Sequence, residues 1–452
     1  MRRGPPWWWY GASALVVAAG AAASAPSGAE SGGSPQSWSA PSLVAEAEET
    51  LAETAVVADP AGAVHLFFAG GQSTRQQTTH LRYARWEDGR WSDPVTVIAP
   101  HGDAILAHPA VALDERAWLH AVFVGLYGRI EYRRVHLSEV TDPRAWGSAK
   151  TLSNSVGLHA DIATAPAAMV YVLSTDYANN ASFHRSDDGG RTWSAPVRLS
   201  ELDPSQLACD NPRLAVDGRG RVHAVWTQFH LPQGWPPSGV YYRRSDDAGQ
   251  TWSPARRVAG EGEGRIAVAA HGLDEVHLAW SVAATGERMH EWSGDGGATW
   301  SQPLPIDERI RGAVYPLALS FDSGGTLHLV TGMGGPGSGG PIVHMWWNGS
   351  AWSEPERVSQ GMALHSVVEA SLAIGEGNQL HVVYEDPDRH LWATDRRVDA
   401  PLIDPRPLPT PARDLWTRFA DASLVFRAFV LLLVGLGIEA SVSWWWRRPS
   451  AP

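Results

Sequence analysis

One octapeptide pattern, Ser-x-Asp-x-Gly-x-Thr-Trp, occurs three times in this chain, at Ser186 to Trp193, Ser245 to Trp252 and Ser293 to Trp300. Its chemistry is that of a fixed turn. The Asp carboxylate accepts hydrogen bonds from nearby backbone N–H groups, and the Gly takes up a positive φ. The closing Trp is a large apolar plate that has to pack against a neighbouring sheet. A chain that repeats such a turn folds as a series of similar units.

A second repeat runs beside the first. Val64-His65-Leu66, Leu119-His120-Ala121, Val222-His223-Ala224, Val276-His277-Leu278, Leu327-His328-Leu329 and Leu380-His381-Val382 alternate apolar and polar residues, and Val170-Tyr171-Val172 fills the gap between the second and third. These seven segments lie 51 to 55 residues apart, the length of one four-stranded propeller blade. The octapeptide decays to Trp86 to Trp91 and Trp347 to Trp352 in two repeats and is barely visible around Trp146. The pattern therefore predicts an all-β chain whose residues 37–398 form a seven-bladed β-propeller. A satisfied structural His on the second strand of each blade is expected in preference to a metal ligand.

With these octapeptides, the Asp boxes, the chain resembles the Asp-box (BNR repeat) sialidase-like β-propeller superfamily. The resemblance covers roughly residues 37–398 and implies a fold in which the boxes lie on the face opposite the active site. It departs from a standard sialidase in two ways. No Arg-Ile-Pro motif stands where the first clamp arginine would be, and sialidases have six blades rather than seven.

The seventh repeat stops after His390-Leu391-Trp392-Ala393-Thr394, lacking its last strand. Ser37-Trp38-Ser39-Ala40-Pro41, near the start, copies Thr192-Trp193-Ser194-Ala195-Pro196. The N-terminal segment is therefore expected to complete the last blade and remove the open sheet edges. A ring closed in this way is expected to be monomeric.

The two ends read as export and attachment. Met1-Arg2-Arg3, an apolar run over residues 7–23 and Ala23-Ser24-Ala25 resemble a signal peptide over residues 1–25. Pro401, Pro405, Pro407, Pro409 and Pro411 suggest a stiff stalk over residues 399–415. An apolar segment ending in Trp444-Trp445-Trp446-Arg447-Arg448 predicts a transmembrane helix over 424–446 and a cytoplasmic tail over 447–452, the alternatives being a sorting signal removed after export and an interfacial helix. The propeller is thus expected at the cell membrane, on the extracytoplasmic side. A net charge of −12 argues against nucleic acid as a partner. Cys209, the single cysteine, allows no internal disulfide and is expected to be a buried, inert thiol.

Aligning the repeats places Glu53, His108, His159, Asn211, Glu263, Tyr315 and Glu369 at one position, where each innermost strand opens. Innermost strands enclose the channel of a propeller, so these side chains should ring one of its mouths. Two residues further on, Asp161, Arg213 and Arg265 point the same way by strand alternation, and Arg311 precedes Tyr315. Trp235, in a loop expected on the same face, could stack on a sugar.

The sialidase resemblance implies a catalytic set in which Tyr315 is a nucleophile paired with Glu263 or Glu369. Asp161 would then be the acid, and Arg213, Arg265 and Arg311 a clamp for the sugar carboxylate. Glu53, His108 and His159 could in principle share a metal, but the spacing between blades argues against it. No metal and no cofactor are expected. Two functions remain: a membrane-anchored module that binds a glycan or an extracytoplasmic protein at the channel mouth, and a sialidase-like glycoside hydrolase.

Overall fold

The computed structural model describes residues 37–46, 54–70, 79–99, 106–178, 180–200, 207–231, 234, 236–311, 317–333, 340–358, 369–386 and 388–409. The expected signal peptide and transmembrane segment lie outside these residues. Among the described residues there is no α-helix, and no helix is long and apolar enough to cross a membrane.

The described strands form seven antiparallel sheets, six of four strands and one of five. The fourth blade shows how the sequence produces them. Val222–His230 and Pro237–Ser245 carry the β-branched and aromatic residues, Leu207–Val216 is the buried innermost strand, and Asp217-Gly218 and the second Asp box turn the chain toward the short outer strand Arg256–Ala259. The innermost strands of successive blades touch in a closed cycle, and Thr54–Ala58 of the first blade meets Glu369–Gly375 of the seventh. This closed cycle is a seven-bladed propeller.

Its core is divided by the blades. Seven buried apolar clusters occur among the described residues, each drawing side chains from two adjacent blades. The Asp-box tryptophans lie in this seam. Trp193, Trp252 and Trp300 pack edge-on against Tyr132, Phe183 and Tyr242 of the preceding blade, with ring centroids 4.8 to 5.0 Å apart. Each such ring, once buried, contributes about 2–3 kcal/mol of apolar transfer energy.

Behind each socket stands the repeated His. His65, His120 and His223 bond through Nδ1 to the hydroxyls of Tyr83, Tyr132 and Tyr242 at 2.6 to 2.8 Å. His277 and His328 bond in the same way to His290 and His344, at 2.8 and 2.9 Å. On the other ring nitrogen, His65, His223 and His328 meet Asp59, Asp217 and Asp322 at 3.1 to 3.3 Å. Those same aspartates accept two backbone N–H bonds each from the turn that follows them. A buried imidazole with both nitrogens engaged is structural, as its repetition suggested.

The N-terminal segment completes the ring. Ser42–Ala45 pairs antiparallel with Leu391–Arg397 as the outer strand of the seventh blade. Trp38 is buried and meets His344 of the sixth blade edge-on at 5.4 Å, the position that Asp-box tryptophans take elsewhere.

The residues after the last strand behave differently from a free stalk. Asn378 Nδ2 donates to Ala400 O at 3.1 Å, and Ser323 Oγ donates to Pro401 O. Ile403 N–H donates to Glu376 O at 2.8 Å and Arg406 N–H to Pro60 O at 2.6 Å, while Leu408 packs on the cluster between the first two blades. Residues 400–408 therefore form a strap over the turns of the sixth, seventh and first blades. The remainder of the expected stalk lies outside the described residues, apart from Pro409.

Candidate functional site

The third strand of a blade runs parallel to the first, so the Asp-box turns that follow third strands lie at the end where innermost strands finish. The boxes bond as their sequence requires. Thr251 Oγ1 donates to Asp247 at 2.6 Å, and Thr299 Oγ1 does the same to Asp295. These hydroxyl bonds, with backbone N–H bonds, hold both carboxyls down at about 2. On that face Arg221 and Arg244 tie neighbouring blades together through Asp274 and Gly296 O, and the opposite face, where innermost strands begin, is the place to seek a site.

The strand register identifies equivalent positions. Ala112 pairs with His120, Ala163 with Tyr171, Ala215 with His223 and Ala269 with His277. Four residues before each partner stand His108, His159, Asn211 and Arg265. Arg265, and not Glu263, thus occupies the mouth position of the fifth blade. Glu263 lies two residues earlier and serves the local backbone: its carboxylate accepts from Gly260 N–H at 2.6 Å and from Trp280 Nε1 at 3.3 Å.

The mouth positions are made by bulged backbone. In blades two to five the ladder between the first and second strands slips near its start, whereas the described ladders of blades one, six and seven run without a break. His108, Asn211 and Arg265 sit in these bulges with left-handed φ values of 52, 47 and 51°. Side-chain-bearing residues seldom adopt that conformation, and bulges that hold them re-aim side chains at functional sites.

The resulting arc is continuous. The His108 and His159 rings lie 3.9 Å apart between centroids, closer than blade spacing led us to expect. His159 Nδ1 is hydrogen-bonded to Asp210 Oδ1 on the next blade, and the same oxygen accepts the Asn211 N–H at 2.7 Å. Burial pushes the Asp210 carboxyl up, but the charge and hydrogen bond of His159, aided by the Asn211 N–H and Arg265, hold it below the ordinary carboxylate range. Asp161 accepts Leu214 N–H at 2.7 Å; burial, only partly offset by Arg213, raises its carboxyl to about 7. Arg213 Nη1 donates to Pro212 O at 2.6 Å.

The structure thus gathers His108, His159, Asp161, Asn211, Arg213 and Arg265, and adds Asp210. Arg311 is half exposed and pairs with Glu287 at 2.7 Å, so one member of the expected three-arginine clamp is committed to a surface ion pair. Glu53, Trp235 and Tyr315 lie outside the described residues. Glu369 starts the innermost strand of the seventh blade opposite Glu385, and its side chain is likewise not described. Among the described residues no group of three or more His, Cys, Asp or Glu side chains is placed to hold a metal ion. Cys209 is buried, its thiol pushed up to about 12 by that burial, which makes it unreactive.

Fold and repeats together define the class: an Asp-box, sialidase-like β-propeller. Residues 176–333 match the BNR repeat-like domain. No curated protein matches the sequence. Among solved structures, the chain is similar to an ulvan lyase, a polysaccharide lyase bound to -[GlcA(1-4)Rha3S]-, with 11% identity, a TM-score of 0.53 and coverage of 82% of this chain and 97% of that one. It is also similar to the Hadza microbial sialidase Hz136, at 17% identity, a TM-score of 0.46 and 79% and 68% coverage. A third, the NanB sialidase from Streptococcus pneumoniae, has 11% identity, a TM-score of 0.43 and 80% and 68% coverage.

Proposed function

We propose that this protein is an exported, membrane-held recognition module that binds a glycan at the channel mouth. The observation that supports this reading is the arc on blades two to five, where imidazoles, carboxylates, an amide and guanidinium groups are grouped on one rim in strained backbone. His159, Asp161, Asn211 and Arg213 are buried and brace the part-exposed His108, Asp210 and Arg265, which offer donors and acceptors that suit a polyhydroxylated ligand better than an apolar one. The module would sit on the outer side of the membrane through residues 424–446.

A hydrolytic reading has one observation in its favour: Asp161, raised to about 7, would still carry a proton near neutral pH. One experiment separates the two. The purified full chain is screened on a glycan array and, in parallel, on chromogenic sialosides and other glycosides, together with Arg265→Ala, Asp161→Asn, Tyr315→Phe and Glu263→Gln. Capture lost in Arg265→Ala without turnover of any glycoside is the expected result. Turnover that Asp161→Asn or Tyr315→Phe abolishes would replace recognition with hydrolysis, and a parent chain silent on both would remove the glycan reading.

A further inference from the structure

Tyr127 is the most exposed large hydrophobic side chain among the described residues, at 77% of its full surface. It occupies the loop between the second and third strands of blade two with φ 60°, ψ 24°, a left-handed conformation that is costly for a bulky aromatic residue. Packing does not account for this strain, because the ring lies in solvent. The Arg129 guanidinium stands 5.9 Å from the ring centroid.

The loop adjoins the arc. Val124, the last strand residue before it, pairs with Ala107, the neighbour of His108. On the other side the loop rests on blade three: a Cβ on Gly128 would come within 2.9 Å of Val156 Cγ1, and one on Gly157 within 2.4 Å of Ile130 Cδ1. Val156 is itself 56% exposed, and residues 157–159 lead from it directly to His159. Tyr127 and Val156 are therefore exposed side chains on neighbouring blades, close through strand pairing and through sequence to the strand ends that carry His108 and His159.

We propose that Tyr127 and Val156 form a sugar-stacking subsite, with the Tyr127 ring as the platform for a pyranose face and Arg129 beside it as a hydrogen-bond donor. The occupant is an oligosaccharide long enough to reach outward from the arc over blades two and three. Aromatic rings present an apolar face on which the C–H face of a sugar can stack, and an aromatic side chain has few torsions to immobilise in doing so. The inference rests on the glycan reading above and deepens it by locating the outer part of the same site.

The test measures affinity of the full chain, Tyr127→Ala and Tyr127→Phe for hyaluronan, chondroitin, sialyl-oligosaccharide and cello-oligosaccharide ladders, from disaccharide upward. On whichever ladder the parent binds, Tyr127→Ala should weaken the longer members roughly three- to tenfold and leave the shortest unchanged. Tyr127→Phe, which keeps the ring, should bind like the parent. If Tyr127→Ala binds every length as the parent does, or Tyr127→Phe is equally damaging, the subsite is overturned while the glycan reading stands. If the parent binds no ladder and no arrayed glycan, the reading falls and the subsite falls with it.

Discussion

The histidines repeated on the second strands hold their blades together, and single residues show how. His223 is wholly buried between Asp217 and Tyr242, so truncating it to Ala strands two polar groups and should cost about 2–4 kcal/mol, read as a lower denaturant midpoint. Burial also depresses the imidazoles themselves, to about 4 at His184 and His381 and in the same direction at His120, His223, His290 and His344. A histidine whose folded value lies below its ordinary 6.5 stabilises the fold fully above that pH and loses the contribution as pH falls toward 4. Asp161 has the opposite sign, favouring the fold most below its ordinary 3.8 and least above 7, and Glu131 is raised by burial in the same direction, but they are two groups against six. Melting temperature should therefore fall steeply between pH 6.5 and 4; a flat profile across that window would refute the structural role given to these imidazoles. The repeat was legible from spacing alone. Its hydrogen-bond partners were not, because Tyr83 or Tyr242 meets its histidine only once strands pair.

At the scale of strands, the borrowed segment at the N-terminus was readable because Ser37 to Pro41 copies the end of an Asp box, and the pairing of Ser42–Ala45 with Leu391–Arg397 follows that copy. Trp38→Ala should destabilise the fold by about 3–5 kcal/mol, and deletion of residues 37–45 by more, both seen as lowered melting temperatures. A deletion variant melting like the parent would show the seventh blade closing without it. The strand register makes His108, His159 and Asn211 equivalent, as the sequence spacing does, and sets Arg265 rather than Glu263 beside them in blade five. Arg265 stands in a bulge, and a bulge adds a residue to one strand that a sequence alignment of regular strands assigns to its neighbour. Asp210 escaped notice for a different reason: its role depends on a contact between blades three and four, which no repeat within a blade can reveal.

For the molecule as a whole, the Asp boxes serve the seams between blades, while on the opposite rim His108, Asn211 and Arg265 stand in bulges with left-handed backbone. The proline-rich run after the seventh blade read as a spacer, since proline spacing reports stiffness and is silent about what a stiff segment lies against. In the fold its first part crosses blades six, seven and one. Ending the chain after Leu408 should leave the melting temperature of the propeller unchanged, whereas ending it after Arg397 should lower it by several degrees. Equal melting of the two truncations would show the strap to be idle. The strap also fixes how the ring bears load. A pull along the chain at Leu408 is carried first by the bonds of Arg406, Ile403 and Pro401, which lie along the strap and share the force across three blades. Only when these have sheared does tension reach Leu391–Arg397 and the strand zipped to it, so the joint that closes the propeller is the last to feel a pull applied from the C-terminal side.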